Sequence, residues 1–544
     1  MKTKMKHLYP LLLLCLTACT DAVPRLHNVF CYNESKGIPT LDPAFARTQA
    51  IINPCMQLYC GLLQLDSALH PKPCIAHRYY VTRDGLQYTF NLRKDVFFHD
   101  SPAFVDGQGR RVVASDFVYS FYRIKKPATA SPGSWTLANM DTAYAINDTT
   151  LVLRLRQPSP IFLGILAMPY CFVVPHEAIE FYGADFGKHP VGTGAFYCKA
   201  WHEGEKLVLR RNPRYFERDK NGLALPYLEA VNIIFIPDKQ SEFLEFVQGN
   251  IDCLIGVHPA SRDELLLHDG TLNPKYAQGV QMLQGDYLNT EYLGILIDST
   301  EFANAALQNP NVRRAIAYGI DRPKMIQYLR RNLATPARQG FVPKGLPSFA
   351  NHLQGFDYQP DTALFYLAQA GYPNGNGLPP ITLSTTDDYL DICEFLQHEL
   401  GQLGITIRLN VLSGFGYRQW VAEGKLEFFR ASWIADYPDA ESYLSLLYSP
   451  NRSPNGPNYT HFANAAYDNL YNKAIAEPDE QRRWQHYCAL DSMLVEQAVI
   501  VPLFYDRAVR FVRRGIAGMR PNPMNMLILK EVQIGKNYQS TKTL

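Results

Sequence analysis

Beyond its first twenty residues, the sequence has no run of eighteen uninterrupted apolar residues, which excludes a membrane-spanning helix of ordinary length there. Catalytic signatures are also missing. There is no HExxH, no GxSxG, and no SxxK with its supporting motifs. His176-Glu177 and His202-Glu203 lack a second histidine at helical spacing. No CxxC and no Cys/His spacing of the zinc kind occurs, so no metal is expected. Gly192-x-Gly194 lacks a third glycine and no helix pattern follows it, so a structural turn before a strand is expected there and no cofactor is implied. Neither charge sign dominates: 53 basic residues face 51 acidic ones. Such a balance argues against nucleic acid or an anionic membrane surface as partner.

What is present starts with an address. Lys2, Lys4 and Lys6 precede a short apolar core over residues 8–16, and Leu16-Thr17-Ala18-Cys19 closes it. The pattern resembles a bacterial lipoprotein signal, which implies cleavage before Cys19 and acylation of its thiol. Residues 1–18 are then a leader and 19–25 a tether. Nine further cysteines follow, an odd number, so at least one stays unpaired or pairs elsewhere. At 544 residues, 47% hydrophobic and 19% charged, the chain has globular composition and enough length for two or three domains.

Periodicity divides the remainder. Residues 26–32 read as a strand, and 51–65 carry apolar residues at helical spacing. Residues 77–81 and 88–93 form a hairpin about Asp84-Gly85, and Ser115-Asp116 caps a helix over 117–124. A strand is expected at 228–236 and a helix at 241–248. Helices follow Asn311, Asp321 (with Pro323 in its first turn) and Asp361. A strand at 381–384, a helix at 388–403 and a strand at 405–411 make a βαβ unit, hence locally parallel sheet. Residues 417–421 form a short helix before the next strand.

That next strand lies in FFRASWIADYPDAESYL, residues 428–444. Arg430 sits within its apolar run, Asp436 follows at its end, and Tyr437-Pro438-Asp439 breaks the pattern. In an open α/β sheet, ligands bind at the carboxyl ends of the strands. The same residues are compatible with a purely structural Arg430–Asp436 pair and a core Trp433.

Taken in order, LDPAF (41–45), DGLQYTFNLRKDVFFHD (84–100), VVASDFVYSFYRI (112–124), HPVGTGAFYCKAWHEGEKLVLRRNPRYF (189–216), NVRRAIAYGIDRPKMI (311–326), DTALFYLAQAGYP (361–373), GQLGIT (401–406), SWIADYPDAESYL (432–444) and IVPLFYDRAV (500–509) resemble the family 5 solute-binding proteins of ABC importers. Two details depart from the family: Ser101-Pro102 follows His-Asp, and Ala195 replaces a proline. The resemblance implies an α/β, two-lobed fold like that of periplasmic binding proteins (class II, cluster C type), with an extra domain inserted in lobe one. Lobe one would be 26–60, 190–285 and 506–544, the added domain 61–189, and lobe two 286–505. It further implies a lipid-anchored, monomeric protein at the periplasm or cell surface that hands peptides to an ABC permease and ATPase. Asp436 would take the ligand's ammonium and Trp433 would lie beside its backbone, with Ile434 and Tyr437 flanking. Arg430 would meet the carboxylate of short peptides. Arg47, Thr48, Gln49 and Tyr505 would line the cleft. Relatives on this scaffold also take nickel chelates, haem or other small solutes, so fold alone leaves the ligand open. An exported hydrolase is the rival from another class.

Overall fold

The computed structural model describes residues 28–298, 301, 302, 304–535 and 538. The leader, the tether and Cys19 lie outside the described residues.

One mixed sheet of eleven strands runs through the molecule. Its order is Ile407–Val411, Ile381–Thr385, Phe428–Ile434, Val280–Ile295, Ile500–Arg513, Cys253–Ile255, Val29–Asn33, Ala230–Ile234, Lys206–Arg211 and Phe196–His202, and Ala334–Pro336 pairs with Ile500–Arg513 from the side. A separate four-stranded antiparallel sheet holds Ala76–Val81, Gln87–Leu92, Thr150–Leu155 and Met140–Asn147, with the helix Ala114–Lys125 against it.

The two longest strands, Val280–Ile295 and Ile500–Arg513, connect the halves of the large sheet. They pair antiparallel from Val280↔Arg513 to Asp286↔Arg507, and again from Thr290↔Tyr505 onward, with a register shift between. Inside this break, Leu288 N–H donates to the Pro523 carbonyl (2.8 Å), and the Leu288 carbonyl accepts from Ala435 N–H (2.9 Å) and the Tyr443 hydroxyl (2.6 Å). A ladder interrupted where both connecting strands cross is where a hinge bends at least cost.

The βαβ unit forms as its periodicity requires. Ile381–Thr385 pairs parallel with Ile407–Val411 on one side and with Phe428–Ile434 on the other. The helix Leu390–Gly401 between them buries Ile392, Cys393, Leu396 and Leu400. The turn after it passes through Gly404 (φ +80°), where an added Cβ would sit 2.2 Å from the Asn374 carbonyl oxygen. All three strands therefore end on one edge, and Asp436 follows the third.

Several local expectations change. The helix expected over 51–65 spans Gln49–Leu58 and gives way to a short strand, Leu63–Leu65. The cause is remote in sequence: Gly194 N–H takes the Leu58 carbonyl (2.9 Å), and Gly192 packs so closely that a Cβ would lie 2.1 Å from that oxygen. The Gly-Thr-Gly turn thus closes a helix end before the Phe196–His202 strand. Asp321 caps its helix by accepting from Lys324 N–H (3.0 Å). Asp361, by contrast, lies inside the first turn of Pro360–Gln369, and Asp116 lies in the third position of its helix.

Four buried clusters fill the interior, the smallest being Tyr417, Val421, Leu426 and Phe429. One unites the small sheet with the strands on its side of the large one, and a second surrounds the βαβ unit. The third lies under residues 435–447. Tyr437 belongs to the first and Leu69 to the third, so the two sides meet across their boundary.

Candidate functional site

Phe428–Ile434 pairs antiparallel with Val280–Ile295, setting Arg430 opposite Leu293, Ser432 opposite Glu291 and Ile434 opposite Asn289. Side chains alternate along strands, so Arg430, Ser432, Ile434, Glu291 and Asn289 share one face, and Trp433 and Thr290 take the other. Burial fades along the strand from Phe428 to Ile434, which is 43% exposed. Ala435 N–H is tied to Leu288, and Asp436 N–H donates to Ser442 Oγ (3.1 Å), fixing the turn that carries the carboxylate.

No group among the described residues donates to the Asp436 carboxylate or forms an ion pair with it. Asp436 is exposed to solvent, yet the protein around it displaces enough water to push its pKa up to about 6, desolvation being the cause. Across from it stand Tyr170 and Arg47: the Tyr170 hydroxyl is pushed up by burial first, with Asp436 raising it further and Arg47 opposing. Behind it, Glu441 is pushed up to about 7 by burial, with Asp436 adding to the effect; Glu441 Oε2 is buried without a hydrogen-bond partner.

The other sequence-derived candidates divide. Trp433 is half-buried with its Nε1 buried and unpartnered, an unspent donor beside the strand. The Tyr437 ring packs 5.9 Å from that of Trp135, joining the two sides of the boundary. Arg47 and Thr48 are exposed at the start of Gln49–Leu58; Gln49 donates to the Met524 carbonyl (3.3 Å), and its Oε1 is buried and unpartnered.

Two expectations need correction. Tyr505 is 1% exposed, and its hydroxyl both donates to the Gly340 carbonyl (2.8 Å) and accepts from Gly340 N–H (3.2 Å), so it offers the cleft no free group. Arg430 is not an open cation, nor does it pair with Asp436. Its Nε forms an ion pair with Glu291 Oε1, its Cζ lies 3.1 Å from the centroid of the Tyr389 ring, and its Nη2 is buried without a hydrogen-bond partner. Glu291, Tyr389 and Tyr170 are the residues that sequence reasoning missed. A glutamate inside the apolar run of 288–296 was the available signal for the first.

Two of the cavities among the described residues are relevant to the site's placement. One of about 330 Å³, lined by Met56, Cys60, Gln64, Phe172, Arg520 and Met526 among others, touches none of the expected site residues. A smaller one of about 90 Å³ lies at the boundary, between residues such as Leu69 and Ile161 on one side and Tyr437 and Arg483 on the other. Among the described residues no group of three or more His, Cys, Asp or Glu could hold a metal ion, and no helix is long and apolar enough to cross a membrane.

One arrangement bears on the hydrolase alternative. Ser453 Oγ lies 2.9 Å from His461 Nε2, and His461 Nδ1 lies 2.7 Å from Asp298 Oδ2. Ser453 is 4% exposed and His461 8%, and neither lines either cavity. The hydrogen bonds tie the 452–461 loop to the end of the segment after Val280–Ile295.

A two-lobed α/β architecture, two crossing strands and an unpaired charge at their boundary define a periplasmic-type binding protein. Comparison with known proteins agrees. The model of the bacterial extracellular solute-binding proteins, family 5, matches residues 70–455, and the chain belongs to that family. It is 25% identical over 486 residues to the glutathione-binding protein GsiB of Escherichia coli O1:K1 / APEC, covering 88% of this chain and 89% of GsiB. It is also similar to the solved structure of DppA from Helicobacter pylori in complex with the peptide STSA (TM-score 0.76, 23% identity, 93% of this chain and 98% of that one). The murein tripeptide binding protein MppA of Escherichia coli gives a TM-score of 0.73 at 24% identity, covering 94% of this chain and 99% of that one. The protein is thus a substrate-binding protein of the ABC-importer class, of a family that works outside the cytoplasmic membrane.

Proposed function

We propose that this protein captures short peptides by their free amino end at Asp436 and delivers them to an ABC permease and ATPase, held at the membrane by a lipid on Cys19. The observation that carries this reading is the Asp436 carboxylate, fixed by its backbone, partly stripped of water and left without a cation. An anion kept in that condition is stabilised by an incoming ammonium. Trp433 supplies an apolar wall beside it, and main chain near Ile434 and Tyr437 can align an extended ligand as an added strand. Tyr170 from the added domain and Arg47, with Thr48 and Gln49 beside it, from lobe one would complete the site opposite. The division into 26–60, 190–285 and 506–544 for lobe one, 61–189 for the added domain and 286–505 for lobe two belongs to the same proposal. It is supported by the ladder break between Asp286 and Thr290.

Glutathione, which GsiB is named for binding, also presents a free α-ammonium and suits the same anchor. Mass spectrometry of material retained through purification tests the reading. Molecules with a free amino end, peptide or γ-linked, are expected; a nickel chelate, haem or sugar retained instead overturns it.

A further inference from the structure

The hairpin between Leu63–Leu65 and Pro71–Pro73 carries a leucine where its own turn calls for glycine. Leu65 pairs with Pro71, and Asp66 N–H donates to the His70 carbonyl (3.0 Å), so Ser67, Ala68 and Leu69 form a three-residue loop. Leu69 N–H closes it on the Asp66 carbonyl (3.1 Å), and Asp66 Oδ1 accepts from Ala68 N–H (2.8 Å) and His70 N–H (2.9 Å). The last residue of such a loop takes the left-handed conformation, for which glycine is the ordinary choice. Leu69 takes it at φ +68°, against the clash of its Cβ with the backbone. Every one of these hydrogen bonds lies inside the hairpin, so the hairpin sets this conformation by itself and gains nothing locally from a leucine.

The gain lies across the boundary. Ser67, Ala68 and His70 are exposed, yet Leu69 between them is only 3% exposed. It belongs to the buried cluster under residues 435–447. Apart from Met524 and Met526, the other members of that cluster all come from 286–505. Leu69 also borders the boundary cavity, which Pro347, Tyr437 and Trp484 line from lobe two. Two further contacts seat the added domain on the same region. The Trp135 ring packs against that of Tyr437, and a Cβ added to Gly164 would lie 4.0 Å from Pro438 Cδ. The hairpin thus presents a strained apolar side chain to the opposite lobe, at the turn that follows Asp436.

Backbone strain persists where something outside the strained element offsets it. Burying a leucine between two bodies that can part favours the state in which they are together. We propose that Leu69 is a positioning residue for ligand capture, the latch by which the added domain holds lobe two closed over the cleft. When the lobes part, the leucine enters water and the hairpin keeps its strain. When they meet, the apolar burial is recovered. The latch gives the closed form a preference that the ligand does not have to supply, so it slows escape of a bound ligand and leaves entry into the open form unchanged. The proposal rests on the two-lobed closure of this class of protein and not on the identity of the ligand.

The test is Leu69→Gly, which removes the buried side chain and at the same time relieves the turn. The ligand-free variant is therefore expected to melt at the wild-type temperature or above it. Small-angle scattering of the ligand-free proteins should give the variant the larger radius of gyration, because its ratio of closed to open form falls about tenfold. Trialanine and glutathione serve as probes. Whichever of them wild type binds should dissociate roughly tenfold faster from Leu69→Gly, with association rates within about twofold. Leu69→Met, which keeps an apolar side chain of similar volume, should match wild type in both readouts. A melting temperature lowered by Leu69→Gly would make Leu69 ordinary core and overturn the latch. An unchanged radius of gyration, or unchanged dissociation of a bound probe, overturns it as well. Binding of neither probe by wild type overturns the peptide reading instead, and the scattering comparison then decides the latch alone.

Discussion

The two ends of one seven-residue strand treat charge in opposite ways. Near its start, Arg430 enters the interior with an anion supplied by the protein, a ring over its face and partners on three neighbouring segments. Just past its end, Asp436 is positioned as firmly, through Ser442, yet receives nothing. A paired buried charge is part of the architecture, because removing one partner strands the other. A desolvated charge left alone costs stability and persists where something outside the chain completes it. The difference supports the proposed capture step at Asp436, with Arg430 held as part of the architecture.

This contrast can be broken most forcefully at the paired end. Arg430→Met should destabilise the protein by about 3–5 kcal/mol at pH 8, where buried Glu291 loses the cation that offsets its desolvation, whereas Asp436→Asn, at an exposed position, should change stability by less than about 0.5 kcal/mol. Urea unfolding of both variants checks it; equal losses would mean that Asp436 is structural after all. A smaller effect sharpens the contrast from the corrected residue. Tyr505→Phe leaves the Gly340 N–H and carbonyl without their partner and should cost about 1–3 kcal/mol. Ligand affinity should stay unchanged, read by titration calorimetry; a tenfold weaker ligand would return Tyr505 to the cleft.

The sequence showed the edge but not the partners. The βαβ periodicity and the Tyr437-Pro438-Asp439 breaker were enough to put Asp436 at the carboxyl end of a parallel strand, and the strand pairs that way. Arg430 could not be paired from local pattern, because Glu291 lies 139 residues away and meets it only through the register of Val280–Ile295. The early end of the helix Gln49–Leu58 was hidden for the same reason: the glycines that close it are at 192 and 194. Tyr505 was misplaced because Ile500–Arg513 is buried on both faces over most of its length, so alternation carries no inside-or-outside signal there. Glu291 alone is marked locally, as a charge in an apolar run.

The central claim is that Asp436 is the anchor for a free ammonium. Isothermal titration of wild type and Asp436→Asn against one peptide, free and N-acetylated, tests it most directly. Removing one side of a buried charge pair costs about 2–5 kcal/mol, so the free peptide should weaken roughly thirty- to several-thousand-fold on the substitution. The acetylated peptide should bind wild type poorly and lose little more, because its ammonium is already gone. Equal losses for the two peptides would contradict the account.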